Sequence, residues 1–256
     1  MRISVVTLSF NQRAFLRGAL ESILQQEYPD LDYFVVDPGS TDGSRELIRD
    51  YAKSLSHIIL EPDAGAADGL NKGFALASGE VLGFLNADDL LYPGSLQRVA
   101  DFFRDNPDCD VAFGNGFKID AEGRPLRHFK ARNFTVDGYL YGGSEWLQQS
   151  TFFRADAFRR SPGFNVQNRT SWDGELFVTM VSQGAKVGYI DCDLGAFRIH
   201  QESISGSGRM DELYLKDCRR VFRQVQGREW NAADSARRFV YRGVGYLTRR
   251  ALRWRH

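Results

Sequence analysis

The sequence is poor in residues that staple or anchor a chain. Its three cysteines, Cys109, Cys192 and Cys218, are odd in number and far apart in 256 residues, which argues against a disulfide framework or a CxxC metal site. Reduced thiols in a cytoplasmic compartment are the expectation. No apolar run approaches the roughly 18 residues that cross a bilayer. Met1-Arg2 followed by Ile3–Leu8 is too short for the apolar core of a signal peptide and reads as a strand. A P-loop GxxxxGK[ST] is lacking, as is a GxGxxG turn after the first strand, so two widespread phosphate-binding devices are excluded. Net charge is lacking too, since 33 Lys and Arg balance 33 Asp and Glu. With 43% hydrophobic and 26% charged residues, the composition is that of a globular protein and not of a disordered, collagenous or coiled-coil chain. A chain of this length buries roughly 70–75% of its extended surface, so its core needs neither disulfides nor a structural metal.

The zero balance hides an asymmetry. Residues 209–256 carry 13 Lys and Arg against 5 Asp and Glu, leaving 20 against 28 in residues 1–208. Residues 237–256 hold seven arginines (237, 238, 242, 249, 250, 253 and 255) and no acid. Val240, Val244, Leu247, Ala251 and Trp254 recur there on one face of a helix. Such a basic amphipathic helix suits peripheral attachment to an anionic membrane surface. The alternative is a helix that docks its apolar stripe on the domain with its arginines solvated. Nucleic acid is not an expected partner, because the rest of the chain is acidic.

Strands and helices alternate through the first ninety residues. Strands are predicted at Ile3–Leu8, Asp32–Asp37, His57–Glu61 and Val81–Asn86, with helices at Phe15–Gln25, Ser44–Ala52 and Gly69–Ala77. This alternation predicts parallel strands with helices on both faces, and ligands in such sheets sit beyond the carboxyl ends of the strands. Polar residues cluster at those ends: Ser9, Asn11, Asp37, Asp63 and Asn86-Ala87-Asp88-Asp89. Further on, Ser95–Arg104 reads as a helix and Val111–Arg132 as strand with a turn at Asp120–Gly123. Residues 133–172 read as loop-rich, Gly174–Ser182 as a helix and Val187–Ile190 as a short strand. Gly206-Ser207-Gly208 marks a break before the basic C-terminal helices. The division expected is a catalytic domain over residues 1–208 and a helical extension over 209–256.

Two adjacent acids at a strand's end, Asp88 and Asp89, can present oxygen ligands to a hard divalent cation. The plain alternative is a turn or helix cap. The surrounding motifs favour the first reading. Val5-Val6-Thr7-Leu8-Ser9-Phe10-Asn11, Val35-Val36-Asp37-Pro38-Gly39-Ser40-Thr41-Asp42-Gly43, Glu61–Gly73, Gly79–Asp89, Trp172-Asp173-Gly174-Glu175-Leu176 and Phe197-Arg198-Ile199-His200 follow one another in the chain. Each is degenerate alone. As an ordered set over roughly residues 3–205, they resemble the inverting glycosyltransferases of family 2, of the kind that builds bacterial polysaccharides.

The resemblance implies a GT-A fold, an α/β Rossmann-like mixed sheet flanked by helices, here with a C-terminal helical extension. It implies that Thr7, Ser9, Asn11 and Asp37 hold the nucleotide base and ribose, although Asp37 also fits an Asx turn onto Gly39. Asp63, Gly65, Asp68, Asn71 and Lys72 match a segment lining the nucleotide-sugar pocket, with an exposed helix turn as the plainer reading of Asn71 and Lys72. Asn86 and Ala87 belong to the same pocket, and Asp88 matches the metal-binding acid. Asn86 replaces the first acid of that signature and supplies no charge, so strong intrinsic metal affinity is not implied. Asp173 matches the general base, which takes the acceptor hydroxyl's proton as its oxygen attacks the anomeric carbon; it also fits an N-cap of the helix expected from Gly174.

The resemblance further places Glu175, Gln149 and Ser150 on the acceptor side, and His200 near the metal or diphosphate. Arg198, Ser203 and Ser205 fall on a stretch that could close over donor phosphates. The implied cofactor is Mn²⁺ or Mg²⁺ and the implied donor a nucleotide sugar, most commonly a UDP-sugar. The implied acceptor is a glycan or a lipid-linked glycan, and the implied setting the cytoplasmic face of the membrane. Two other classes compete. A sugar nucleotidyltransferase wants a glycine-rich basic loop after the first strand, where this chain has the glycine-free Ser9-Phe10-Asn11-Gln12-Arg13. A non-catalytic nucleotide-sugar-binding scaffold has no need to retain Asp88 and Asp173.

Overall fold

A computed structural model describes residues 1–201, 203 and 210–253, with side chains through residue 243. The break at Gly206–Gly208, Ser205 and the side chains of Val244, Leu247, Ala251 and Trp254 lie outside the described residues.

The sheet grows outward from β1 (Ile3–Leu8), whose run Ile-Ser-Val-Val-Thr-Leu is buried along nearly its whole length. β2 (Leu31–Val36) pairs with it in parallel on one side and β4 (Val81–Asn86) on the other; β3 (His57–Ile59) pairs outside β2. Strands covered on both faces need apolar residues in both directions. Successive residues of β1 therefore serve opposite layers. Val5 packs in a core with Leu16, Ala19, Leu20 and Ile23 of α1 (Arg13–Leu24), together with Leu96, Val99 and Phe103 of α4 (Ser95–Asp105). Val6 packs in a second core with Leu70 and Phe74 of α3 (Ala66–Leu76). The third crossover helix is α2 (Ser44–Asp50).

Beyond β4 the strand directions change. β8 (Thr151–Arg154) runs antiparallel to β4, and β6 (Val111–Ile119) antiparallel to β8. β9 (Val187–Arg198) is parallel to β6, and β5 (Leu90–Leu91) is antiparallel to β9. The order is β3-β2-β1-β4-β8-β6-β9-β5, with β7 (Pro125–Phe129) paired to β6 across a turn in which Asp120 accepts the Arg124 amide at 2.8 Å. The sheet is thus mixed.

Two stretches differ from the sequence reading. Residues 133–172, expected to be loop-rich, contain α5 (Val136–Tyr141), β8 and α6 (Ala155–Arg160). β9, expected to stop at Ile190, continues to Arg198. Its pairing with β6 shifts register around Asn115, where the Asn115 side chain donates to Asp191 Oδ1 at 3.0 Å and accepts the Ala131 amide at 2.9 Å. The irregularity absorbs the polar Asp191 and lets pairing resume.

The C-terminal helices are tied to the body. α8 (Asp211–Gln226) is ion-paired to α7 (Trp172–Ser182) through Arg220 and Glu175. α9 (Ala232–Arg253) meets α5 through Asp234, which accepts the Tyr141 hydroxyl at 2.8 Å, and through Tyr241 and Arg237, both facing Asp137. The docked face is therefore polar and aromatic. Val240, the first residue of the sequence-predicted apolar stripe, is 59% exposed and Phe239 is 81% exposed. Among the described residues no helix is long and apolar enough to cross a membrane.

Candidate active site

Leu8 lies level with Val36 on one side and Asn86 on the other, so three parallel strands end together. A cavity of about 1000 Å³ opens there. Its wall includes Ser9, Asp63, Gly65, Asn86, Asp88, Gln149 and Asp173 among the residues singled out from sequence. Acids from distant parts of the chain thus face one space.

Asp88 and Asp89 differ in role. Asp89 is fully buried; Oδ1 accepts the Arg198 amide at 2.8 Å, and Oδ2 accepts Gln149 Nε2 at 2.6 Å and Asn86 Nδ2 at 3.2 Å. Burial, reinforced by the neighbouring Asp88 charge, pushes its carboxyl well above the usual range. Asp88 borders the cavity, and its Oδ2 lies 3.0 Å from His200 Nε2, whose ring packs on Phe15 at 4.7 Å. Arg198 does not reach toward the cavity. It is buried, its Nε donates to the Asp88 carbonyl at 2.7 Å, and its Nη1 donates to the carbonyls of Asp120 and Ala121 at 3.1 and 2.8 Å. The expectation that Arg198 closes over phosphates is corrected: β9 runs on to this residue, which turns its guanidinium inward.

Asp173 lines the same cavity. α7 begins at Trp172, so Asp173 is its second residue and not the N-cap of a helix starting at Gly174. Its Oδ1 accepts the Gly174 amide at 2.8 Å. Burial pushes its carboxyl up to about 6, opposed by that amide bond. Gly174 is required by proximity, because a Cβ there would stand 2.5 Å from the Tyr139 hydroxyl oxygen.

Several sequence-chosen residues are committed elsewhere. Asp37 is buried under four donors: Ser9 Oγ (3.0 Å), the amides of Gly39 (3.1 Å) and Ser40 (2.8 Å), and Arg45 Nε (3.1 Å). Burial alone would raise its carboxyl, but these bonds outweigh it and hold the carboxyl low. Thr7 is buried in the sheet against the Tyr33 hydroxyl at 2.9 Å. Asn11 caps the Asp37 turn, accepting the Thr41 amide at 2.9 Å. Asn71 clamps Phe164, donating to its carbonyl at 2.8 Å and accepting its amide at 3.0 Å. Asp68 accepts the Ala64 amide at 2.9 Å, and Lys72 bonds the Pro62 carbonyl at 2.7 Å, so both fold the segment that carries Asp63. Ala87 is fully buried, and Ser150 donates to the Asn115 carbonyl at 2.8 Å. Glu175 is buried by Asn165, Asn168 and Arg220; burial alone would raise its carboxyl, but those donors hold it low. None of these side chains lines the cavity.

The wall also holds residues that the sequence reading passed over: Phe10, Pro38, Trp146, Gln148, Arg169 and Trp172. Trp172 stood beside Asp173 and could have been chosen on that ground; Trp146 and Arg169 sit in the stretch read as loop and gave no periodic signal. Arg169 Nη1 donates to the Ala64 carbonyl. That approach requires Gly65, whose φ of +120° and lack of a Cβ leave room for the guanidinium. Burial raises the carboxyl of Asp63, which accepts the Gly65 amide at 2.8 Å.

The "Glycosyl transferase family 2" model matches residues 4–166. TuaG of Bacillus subtilis, a glycosyltransferase named for teichuronic acid biosynthesis, is 32% identical over 130 residues, covering 50% of this chain and 51% of its own. The chain spans about half the length of such curated relatives, 40% in one case and 51% in TuaG. The Staphylococcus aureus TarS 1-349 structure in complex with UDP-GlcNAc superposes with a TM-score of 0.71 at 18% identity, over 88% of this chain and 65% of that one. The Pyrobaculum calidifontis mannosyltransferase PcManGT in complex with GDP-Man and Mn²⁺ superposes with a TM-score of 0.68 at 18% identity, over 96% and 69%. The mixed sheet described above is the GT-A architecture of those structures, and the extent of the family match establishes that this chain belongs to glycosyl transferase family 2.

Proposed function

We propose that the chain is an inverting glycosyltransferase moving a sugar from a nucleotide-diphosphate donor to a hydroxyl of a glycan or lipid-linked acceptor. The observation that carries this reading is that Asp88 and Asp173 border one cavity at the ends of the parallel strands.

The donor set fits a divalent metal. Asp88 offers a carboxylate oxygen and His200 an imidazole nitrogen 3.0 Å away; the carboxylate would suit Mn²⁺ or Mg²⁺, and the imidazole would be the weaker ligand for such hard cations. Among the described residues no group of three acids, histidines or cysteines assembles; a cation held by Asp88 and His200 would need donor phosphates and water as further ligands, as nucleotide-bound cations usually do. When bound, the cation neutralises the diphosphate as it departs.

The remaining chemistry rests on Asp173. Its carboxylate accepts the proton of the acceptor hydroxyl as that oxygen bonds to the anomeric carbon. The bond from that carbon to the diphosphate oxygen breaks, and its electron pair leaves with the phosphate. Attack from the face opposite the diphosphate inverts the anomeric centre. A buried carboxylate raised to about 6 is still ionised at neutral pH and is a stronger base than a solvated one. That Ser9 and Asn86 line the same cavity supports their assignment to the donor, and Trp146 and Trp172 offer apolar faces on which a sugar ring can rest.

The donors bound by TarS and PcManGT make UDP- and GDP-sugars the first to test, with a UDP-sugar our choice. We assign residues 1–208 to a catalytic domain and 209–256 to a basic helical extension, whose end, residues 237–256, brings the enzyme to the cytoplasmic face of an anionic membrane. The exposed Phe239 and Val240 and the acid-free run 237–256 support that assignment. The deciding experiment measures nucleoside-diphosphate release from UDP-GlcNAc and GDP-mannose with Mn²⁺: Asp173→Asn should lose turnover and keep nucleotide binding. Wild-type turnover in that variant would overturn the reading.

A further inference from the structure

Nothing in the family match, which ends at residue 166, reaches α8. Yet α8 is wired into the wall that carries Asp173. Glu175, two residues beyond Asp173, is 3% exposed and its carboxylate is saturated. Oε1 accepts Asn165 Nδ2 at 2.9 Å and Arg220 Nη1 at 2.6 Å, while Oε2 accepts Asn168 Nδ2 at 2.7 Å and Arg220 Nη2 at 2.7 Å. This two-pronged guanidinium–carboxylate pairing fixes orientation as well as distance. One turn earlier on α8, Asp217 Oδ2 accepts the Arg169 amide at 3.2 Å and the Thr170 hydroxyl at 2.8 Å. Asn168 closes the loop by accepting the amides of Thr170 and Ser171 at 3.0 and 2.9 Å. Two side chains of one helix thus hold both ends of the short segment 169–175, which presents Arg169, Thr170, Trp172 and Asp173 to the cavity.

We propose that Asp217 and Arg220 of α8 are positioning residues of the active site, setting where Asp173 and Arg169 stand against the sugar to be transferred. The inference rests on the assignment of Asp173 as base. Glu175 has no lone pair left for an acceptor proton, so its function is to receive this clamp. α8 is then a working part of the catalytic wall, although it follows the last catalytic motif of the sequence. Arg169 is the only Lys or Arg on that wall among the described residues, and Asp217 fixes its backbone. A simple tertiary staple between two helices would have no bearing on the placement of either group.

The experiment uses the full chain with Mn²⁺ and the nucleotide sugar from which it releases most diphosphate in a panel of UDP-, GDP- and dTDP-sugars. Arg220→Gln and Asp217→Ala are compared with Lys216→Ala, an exposed residue of the same helix, well below each variant's melting temperature. Displacement of a catalytic group by about 1 Å costs up to 10²-fold, so kcat should fall by between about tenfold and 10²-fold with donor KM within about twofold. Arg220→Lys, which keeps the charge and loses the fork, should recover part of the rate. Amide exchange should quicken at residues 169–174 and not in β1 or β4. If Arg220→Gln does not fold, Arg220→Lys and Asp217→Ala carry the same comparison. Unchanged kcat in folded variants, or a fall in kcat and donor binding together that follows melting temperature, would overturn the clamp. Wild-type turnover in Asp173→Asn would instead overturn the base assignment, and the exchange pattern at 169–174 distinguishes the two failures.

Discussion

His200 reaches Asp88 across 112 positions of sequence, Nε2 to Oδ2 at 3.0 Å, because β9 pairs with β5 just beyond the two acids. The contact leaves Asp88, the acid of the pair that borders the cavity, with an imidazole nitrogen beside its carboxylate. Asp88→Ala should weaken Mn²⁺-supported nucleotide binding by at least about tenfold, and His200→Ala by less, since a carboxylate contributes charge as well as a lone pair. Calorimetric titration of UDP with and without Mn²⁺ checks this; a metal effect unchanged in Asp88→Ala would remove that residue from the site.

Asp173 should govern the acid limb of the pH profile. A base must be ionised, and burial places its carboxyl at about 6, so kcat/KM should rise through that pH and level off above it. Asp173→Asn should lower turnover by about 10²–10⁴-fold, the usual worth of general-base assistance, and abolish the rise.

The same carboxyl should cost stability at neutral pH. Its folded value of about 6 exceeds the ordinary 3.8, so the folded state holds the proton more tightly than the unfolded one. Its contribution is most favourable below about pH 4 and is lost as pH rises through about 6. Asp173→Asn should therefore melt a few degrees above wild type at pH 7.5, and the gap should close toward pH 4. Parallel melting curves at the two pH values check it.

Arg198 should be a stability residue. Its buried guanidinium serves the carbonyls of Asp88, Asp120 and Ala121 and lies over the Phe15 ring at 5.0 Å. Arg198→Met should cost about 2–3 kcal/mol in urea denaturation, because the buried Asp88 carbonyl and two half-buried carbonyls lose a charged donor.

Phe239→Asp with Val240→Asp should reduce flotation with vesicles containing phosphatidylserine and leave diphosphate release intact. Both residues face away from the docked side of α9, so the folded body has no use for their apolar surface. Equal flotation would remove this face as the membrane contact.

The sequence made the parallel half of the fold legible because every strand from β1 to β4 is an apolar run closed by polar or turn residues, and α1 repeats its apolar residues at helical spacing. It concealed β8, a four-residue strand with no room for a pattern, and the far half of β9, where Asp191, Asp193 and Gly195 interrupt the apolar run. Asp88 and Asp173 were visible through their motifs, and both reach the cavity. Asn71 and Glu175 matched motifs equally well, yet one clamps Phe164 and the other receives Arg220. Which partner saturates a carboxylate or an amide is decided by tertiary neighbours 93 and 45 positions away, beyond the reach of any local signal.

The length of β9 bears on how this site is completed. Its first residues join the sheet through β6, but only its far end delivers Arg198 and His200 to the acids that follow β4. The parallel strands are complete by Asn86, whereas Asp88 receives its imidazole only from a residue 112 positions further along the chain. The innermost contact of the cavity's acid is therefore also the one of longest reach along the chain, and it depends on the full extent of β9.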